Sequence, residues 1–304
     1  MAAGSDLNPL AVRIAEVKSD IRNEAARERF IDTVADIAEK SEERVRDRRP
    51  VRASLKADHM AQFEVHILKE LAGLLEEIRE IENRRDRRAL EILFSAIVHK
   101  FSKQEADTVD RETPRRLRKG LVTEFFARKG VELVERWAAL EKIAPEKSPR
   151  PRIYCADARD LTETFEDQPN FSLIISSPPY GGTYDYVWHH EVRMAWLGLN
   201  SSVLERGEIG ARRRLQGDRA AGRWDGEMRK TLESMTGVLS RRGRILLVVG
   251  DAQFGSTRVE ADLQLRHLAP EMGLRVAATA AQKRQDYTGR GWRREHLVML
   301  VADD

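Results

Sequence analysis

Cysteine is almost absent from this chain of 304 residues. The single one, Cys155, excludes an internal disulfide and any cysteine-rich zinc site, and seven histidines scattered without ligand spacing give no metal site either. Long apolar runs are missing as well. The longest, from Ile245 to Val249 and from Leu297 to Val301, fall far short of the roughly 20 residues needed to cross a bilayer, so no membrane partner is expected. The opening Met1-Ala2-Ala3-Gly4-Ser5-Asp6 has no basic stretch leading into an apolar core; without a secretory signal, the expected location is cytoplasmic. No phosphate-binding loop, zinc-deaminase signature or serine-hydrolase elbow occurs, and there is no internal repeat or low-complexity segment. Nor is there a large excess of one charge. Lys+Arg 53 against Asp+Glu 50 leaves a net charge of +3, so a surface for a charged partner can arise only by segregation of the two signs. A hydrophobic content of 41% with 34% charged residues fits a water-soluble protein with a modest core.

The chain divides by periodicity. Residues 9 to 145 are poor in glycine, and their apolar positions recur at helical spacing: Phe30, Val34 and Ile37, then Leu68, Leu71, Leu75 and Ile78, then Leu90, Leu93, Phe94 and Ile97. Breaks are expected at Arg49-Pro50, around residues 83 to 85, and at Thr113-Pro114, where the threonine would cap the next helix. Lys147-Ser148-Pro149-Arg150-Pro151 reads as a linker because neither proline can donate to a ladder.

Beyond the linker, short apolar runs at 152–156, 171–175 and 244–249 are bounded by polar or glycine-bearing turns, as buried strands are, and helical stretches at 228–239 and 261–272 lie between and after them. Two final strands are expected at 274–279 and 296–301. Alternating strand and helix predicts an α/β doubly wound sheet. The expected organisation is a first part of a sheet domain at 1–16, a helical insertion at 17–149 and the main part at 150–304.

The strand at 171–175 empties into Ser176-Ser177-Pro178-Pro179-Tyr180-Gly181-Gly182. Ligands of open α/β sheets bind at such carboxyl ends. Two consecutive prolines fix the backbone and leave carbonyls without adjacent N–H groups, so a rigid set of acceptors forms beside the Ser177 hydroxyl. That set suits an exocyclic amino group of a nucleobase, and the ring of Tyr180 suits stacking on an unstacked base.

These residues resemble the amino-methylating, S-adenosyl-L-methionine-dependent DNA methyltransferases, whose hallmark is an Asp/Asn/Ser-Pro-Pro-aromatic turn after a sheet strand. The serine form is most similar to cytosine N4 methylases. Cys155-Ala156-Asp157-Ala158-Arg159 resembles a second motif of that family. The resemblance implies that Asp157, with Ala158 beside it, receives the adenine amino group of the cofactor. Gly4-Ser5-Asp6-Leu7-Asn8-Pro9 resembles a third, implying that Asp6 binds the ribose hydroxyls and that Asn8 opens a helix. Taken alone, Asp6 and Asp157 read as helix caps. Gly243 to Asp251 and Arg293-Arg294-Glu295-His296 look like later strands of the same family, although the second also reads as a charged strand start.

One family element has no counterpart. The glycine-rich turn that precedes the Asp6 strand, of the form Asp-Pro-Phe-x-Gly-Ser-Gly-Thr, is not in this sequence. The resemblance therefore implies a Rossmann-like class I methyltransferase sheet lacking its N-terminal, central strand, with a large α-helical insertion, and a partner chain or upstream segment that supplies the missing turn. A cytosine C5 methylase is excluded, since Cys155 lies in the wrong strand for its nucleophile. RNA-base amino methylation, and a non-catalytic or partner-dependent nucleic-acid-binding remnant, stay open beside methyl transfer to DNA.

Basic residues gather in two tracts. Between Arg111 and Arg152 there are twelve Lys/Arg against six Asp/Glu, and between Arg206 and Arg244 eleven against five. Their densest clusters are Arg115, Arg116, Arg118 and Lys119, and Arg212, Arg213 and Arg214; the arginines are the expected phosphate contacts, with a solvated helix face as the alternative. Trp188, Trp224 and Trp292 are expected to pack in a core rather than stack on bases.

Overall fold

The computed structural model describes residues 2–103, 117–145, 147–168, 170–285 and 291–303. The Thr113-Pro114 break, Arg115 and Arg116 lie outside the described residues. Helices dominate the first half: α1 (Pro9–Lys18), α2 (Glu24–Arg46), the single turn α3 (Ala57–Met60), α4 (Val65–Arg79), α5 (Arg84–Phe101) and α6 (Leu121–Ile143). Their ends follow local chemistry. Asn23 caps α2 by accepting from the Ala26 amide, and Asn83 caps α5 by accepting from Arg85 and Asp86, which places the break at the expected residues. Helix α2 stops three residues short of Arg49-Pro50.

The periodic residues of these helices form one apolar core, and Trp137 inside it donates its indole N–H to the Val17 carbonyl at 2.9 Å. That core does not end with the helical half. It takes in Val187, Val192, Met194 and Trp196 of α8 (Tyr186–Trp196) and Leu204 of α9 (Ser202–Gly207).

Among the described residues, the strands form three separate sheets. Strand β1 (Ala3–Asp6) pairs in parallel with β2 (Arg152–Cys155), in register Asp6 to Cys155. The four-stranded sheet is ordered β3-β4-β8-β7, from β3 (Phe171–Ser176), β4 (Leu239–Gly250), β7 (Leu274–Gln285) and β8 (Trp292–Ala302). A small hairpin joins β5 (Ala252–Phe254) to β6 (Thr257–Val259). Strands β3 and β4 are parallel, whereas β8 runs antiparallel to both of its neighbours. The sheet is therefore mixed: the runs expected as buried strands pair in parallel, and the antiparallel part comes from the last two strands. Only residues 286–291 join β7 to β8, too few for the crossover a parallel pair requires.

One face of the four-stranded sheet carries Ile245, Leu247, Val249, Val298 and Leu300. All are buried against α10 (Ala220–Gly237) and α11 (Ala261–Leu268). The opposite face carries Leu173 and Ile175 of β3 and Leu297 of β8, which are 47%, 69% and 49% exposed. Strand β3 pairs on one edge only, as do β1 and β2. The two parallel pieces are nevertheless neighbours: the ring of Phe165, just past the short helix α7 (Leu161–Thr164), stacks edge-on with Tyr154 of β2 at 5.3 Å and with Phe171 of β3 at 5.2 Å.

Candidate functional site

The turn after β3 is held by close packing. Gly181 lies so near Trp224 that a β-carbon there would come within 2.8 Å of the indole, and Gly182, with φ of +66°, lies equally close to Phe254. Its amide donates to the Gly210 carbonyl at 2.9 Å, and the Thr183 amide closes the turn on the Tyr180 carbonyl at 3.0 Å. Pro178 is buried and Pro179 half-buried, which fixes the backbone while Ser177 stays exposed.

Tyr180 is clamped at both ends. Its ring lies against Gly250 at the end of β4, where a β-carbon would approach it to 2.7 Å. Its hydroxyl donates to Glu295 Oε1 at 2.6 Å and lies within hydrogen-bonding reach of Ser177. Burial first, then the Glu295 carboxylate, push the phenol well above its ordinary pKa, so Tyr180 stays protonated. Glu295 is in turn held by Arg284 at 2.8 Å and Gln282 at 3.1 Å, both on β7. Arg293 donates to the Thr183 hydroxyl at 2.7 Å, so the β7–β8 pair braces the whole turn.

Asp6 and Asp157 stand at the carboxyl ends of two paired strands. The Ala156 amide donates to the Asp6 carbonyl at 3.2 Å, which fixes their proximity. Asp6 Oδ1 accepts the Asn8 amide at 2.8 Å and its other oxygen has no partner among the described residues. The surrounding protein desolvates this carboxyl and raises its pKa, an effect the Asn8 hydrogen bond partly offsets. Asp157 is already engaged. Its two oxygens accept Nε and Nη2 of Arg159 at 2.8 and 2.5 Å, and Arg159 also donates to the Gly207 carbonyl at 2.7 Å. Ala158 packs against the core of the four-stranded sheet.

Asn8 is buried, and both ends of its amide are used inside the protein. Its oxygen caps α1 by accepting from the Leu10 amide at 2.9 Å, and its nitrogen meets His190 Nδ1 at 2.6 Å. An accepting Nδ1 places the ring proton of His190 on Nε2. Burial, with help from Arg193, His189 and His99, pulls the His190 pKa down to about 4, so the ring is neutral at pH 7. This contact ties the end of β1 to α8, the first helix after the Pro-Pro turn. Three strand ends that are far apart in sequence thus gather at one place.

Arg212, Arg213 and Arg214 of the second basic tract are exposed but engaged within the protein. Arg213 pairs with Asp185 at 3.2 Å and with Glu208, and Arg214 donates to the Arg206 and Glu208 carbonyls at 2.9 and 3.1 Å. Arg212 reaches Asp185 at 3.4 Å, and Arg118 pairs with Glu124 at 2.6 Å. Asp185, Glu191, Arg206 and Arg212 line a cleft beside Trp188. Trp224 is a core residue, as expected, but Trp188 and Trp292 are 49% and 68% exposed, a departure from the core role predicted for them. Sequence reasoning left Glu295 open between two readings and placed Gly250 only at the end of a strand; the pairing of β8 with β4 carries both to Tyr180. No metal-binding cluster of His, Cys, Asp or Glu occurs among the described residues.

The sequence matches no known family profile and no curated protein. Among solved structures, it is similar to two crystal structures of a protein from Thermus thermophilus that is provisionally named a DNA modification methylase. The first, a selenomethionine derivative, is 17% identical over 49% of this chain and 51% of that one, with a TM-score of 0.29. The second is 17% identical over 49% and 52%, with a TM-score of 0.27. The chain spans about half the length of each.

Proposed function

We propose that this chain forms most of an S-adenosyl-L-methionine-dependent methyltransferase acting on an exocyclic amino nitrogen of a nucleobase, and specifically on cytosine N4 in DNA. The observation that carries the reading is the exposed Ser177 beside a clamped Pro178-Pro179-Tyr180 turn, with Gly207 packed near Leu7 and Asp157 and Gly210 packed near Pro179. When bound, the cofactor supplies an electrophilic methyl group on a sulfonium. The Ser177 hydroxyl and the proline carbonyls accept the hydrogens of the amine and aim its lone pair at that methyl. Tyr180 presents a ring whose position Glu295 and Gly250 hold, a platform for an extruded base. The amine must shed one proton on methylation, and the exposed Ser177 would leave that proton a path to water. Such a transfer needs no covalent intermediate and depends on positioning.

The residues present fit the adenosine end of the cofactor only. Asp6 keeps one oxygen for a ribose diol, while Asp157 has to share its carboxylate between Arg159 and an adenine amine. Asn8 acts indirectly in this reading, by holding the turn that carries Asp6. The methionine end calls for a glycine-rich turn that the chain does not contain. Unpaired edges on β1, β2 and β3, with the bare face of Leu173, Ile175 and Leu297, favour a partner-dependent form in which another segment adds the missing strand and turn. Incubation of the chain with methyl-labelled S-adenosyl-L-methionine and matched DNA and RNA tests the function. Label on cytosine in DNA is expected once a segment bearing the glycine-rich turn is added. Label on neither polymer with that segment present would overturn the reading.

A further inference from the structure

Of the expected phosphate contacts, the described Arg118, Arg212, Arg213 and Arg214 are all engaged by groups within the protein. Other exposed cations, Lys119 of the first tract among them, form a second group. A cavity of about 780 Å³ opens between the end of α2, residues 48–52, the outer face of α4 and the turn before α6. Arg48, Arg52, Lys69 and Lys119 line it. None of the four has a carboxylate within ion-pair distance among the described residues, and all are exposed. The neighbouring Arg44 and Arg49 differ, since they are tied to Glu76 and Glu77 and to Asp47.

The one acid in the wall does not neutralise this rim. Glu70 is buried at 3% exposure, and its Oε1 accepts the Gly120 amide at 2.9 Å, so its carboxyl is anchored inward. Its other oxygen is buried without a partner. Burial raises its pKa against the pull of the Gly120 and Val122 amides and of His66 and Lys119.

The backbone supplies a second observation. Arg48 has φ of +53°, in the left-handed region. It occupies the position after the α2 cap where glycine is the residue of choice, because the Arg48 amide returns to the Val45 carbonyl and the Arg49 amide to Arg44. An arginine there accepts backbone strain and, in return, directs a cation to the cavity mouth.

We propose that this cavity is a binding site for the phosphodiester backbone of duplex DNA, with Arg48, Arg52, Lys69 and Lys119 contacting phosphates along one strand. The inference rests on the reading that the substrate is nucleic acid. Separate rim cations on three segments match a spaced row of phosphates better than one small anion. Apart from His66 the lining has no aromatic ring, so the site takes backbone and not bases. Contacts of this kind fix orientation without reading sequence, and would hold the duplex while the Pro-Pro turn acts on an extruded base.

Anisotropy of a fluorescein-labelled DNA duplex, titrated at several salt concentrations without cofactor, tests the site. Removing the charges with Arg48→Gln, Arg52→Gln and Lys69→Gln together should lower the slope of log affinity against log salt by about 2 to 3, near 0.9 for each lost contact. A control with Lys18→Gln, Arg29→Gln and Lys40→Gln removes equal charge elsewhere and should leave most of the slope. An unchanged slope in the first variant, an equal loss in the control, or no binding by the unaltered chain would overturn the proposal. Arg48→Gly gives an independent reading: it relieves the backbone, so the unfolding midpoint should rise while duplex binding weakens. Weaker binding with a lowered midpoint would overturn the assignment of Arg48. The readout requires no methyl transfer, so a chain that binds duplex through this cavity and methylates nothing would still support it.

Discussion

Tyr180 and Glu295, 115 residues apart in the chain, share a 2.6 Å hydrogen bond that joins the Pro-Pro turn to the last strand. The carboxylate is braced from β7 by Arg284 and Gln282, so the orientation of one aromatic ring depends on three strands.

Neutralising that carboxylate should therefore change the acidity of the phenol. Burial and the negative charge of Glu295 both oppose formation of the phenolate, so Glu295→Gln removes one of the two and the Tyr180 pKa should fall toward 10. Carbon NMR of ring-labelled tyrosine through an alkaline titration measures it. A Tyr180 pKa that stays where it was would show that the hydrogen bond does not persist in solution.

Base stacking makes a separate demand on the same ring. Tyr180→Ala should weaken binding of a duplex with an extrahelical cytosine by about 1 to 3 kcal/mol more than binding of an uninterrupted duplex. Equal losses on both, in competition experiments, would remove the stacking role.

His190 should make stability depend on pH. Its pKa is about 4 in the folded protein and about 6.5 when unfolded, so the unfolded chain takes up a proton first as pH falls. The contribution is complete above about pH 6.5 and is lost toward pH 4, to a limit of about 3 kcal/mol. Urea unfolding across that window should show a slope that His190→Gln flattens; parallel curves for the two proteins would refute the linkage.

The two faces of the four-stranded sheet should respond differently to mutation. Ile245 is fully buried, and Ile245→Ala should cost about 2 to 5 kcal/mol. Ile175 is 69% exposed, and Ile175→Thr should change stability by less than about 0.5 kcal/mol in this chain alone. Urea midpoints compare the two. A large loss at Ile175 in the isolated chain would mean that its face is already covered.

The amino-acid sequence by itself determined the local elements. Helical spacing at Phe30, Val34 and Ile37 and the break around Asn83 report interactions within a few residues, which is why those helices were legible. The strand before Ser177 and the prolines after it were legible for the same reason, since proline fixes its own backbone. Partners brought from far away in the chain were decided only by tertiary structure. Which side of β4 receives β8, and hence that Glu295 meets Tyr180, follows from sheet pairing and not from any pattern near residue 295. Asn8 reads locally as a helix cap, and it is one; its second partner, His190, comes from a helix 182 residues away. Charge behaves likewise. Arg213 and Arg214 stand in a dense basic run, yet Asp185 and Glu208 fold back onto Arg213 and backbone carbonyls onto Arg214, whereas Arg48, Arg52, Lys69 and Lys119, dispersed in sequence, converge on one cavity because three segments meet there. A run of like charges records composition, but its field depends on the distances to counter-charges, and those distances exist only in the folded chain.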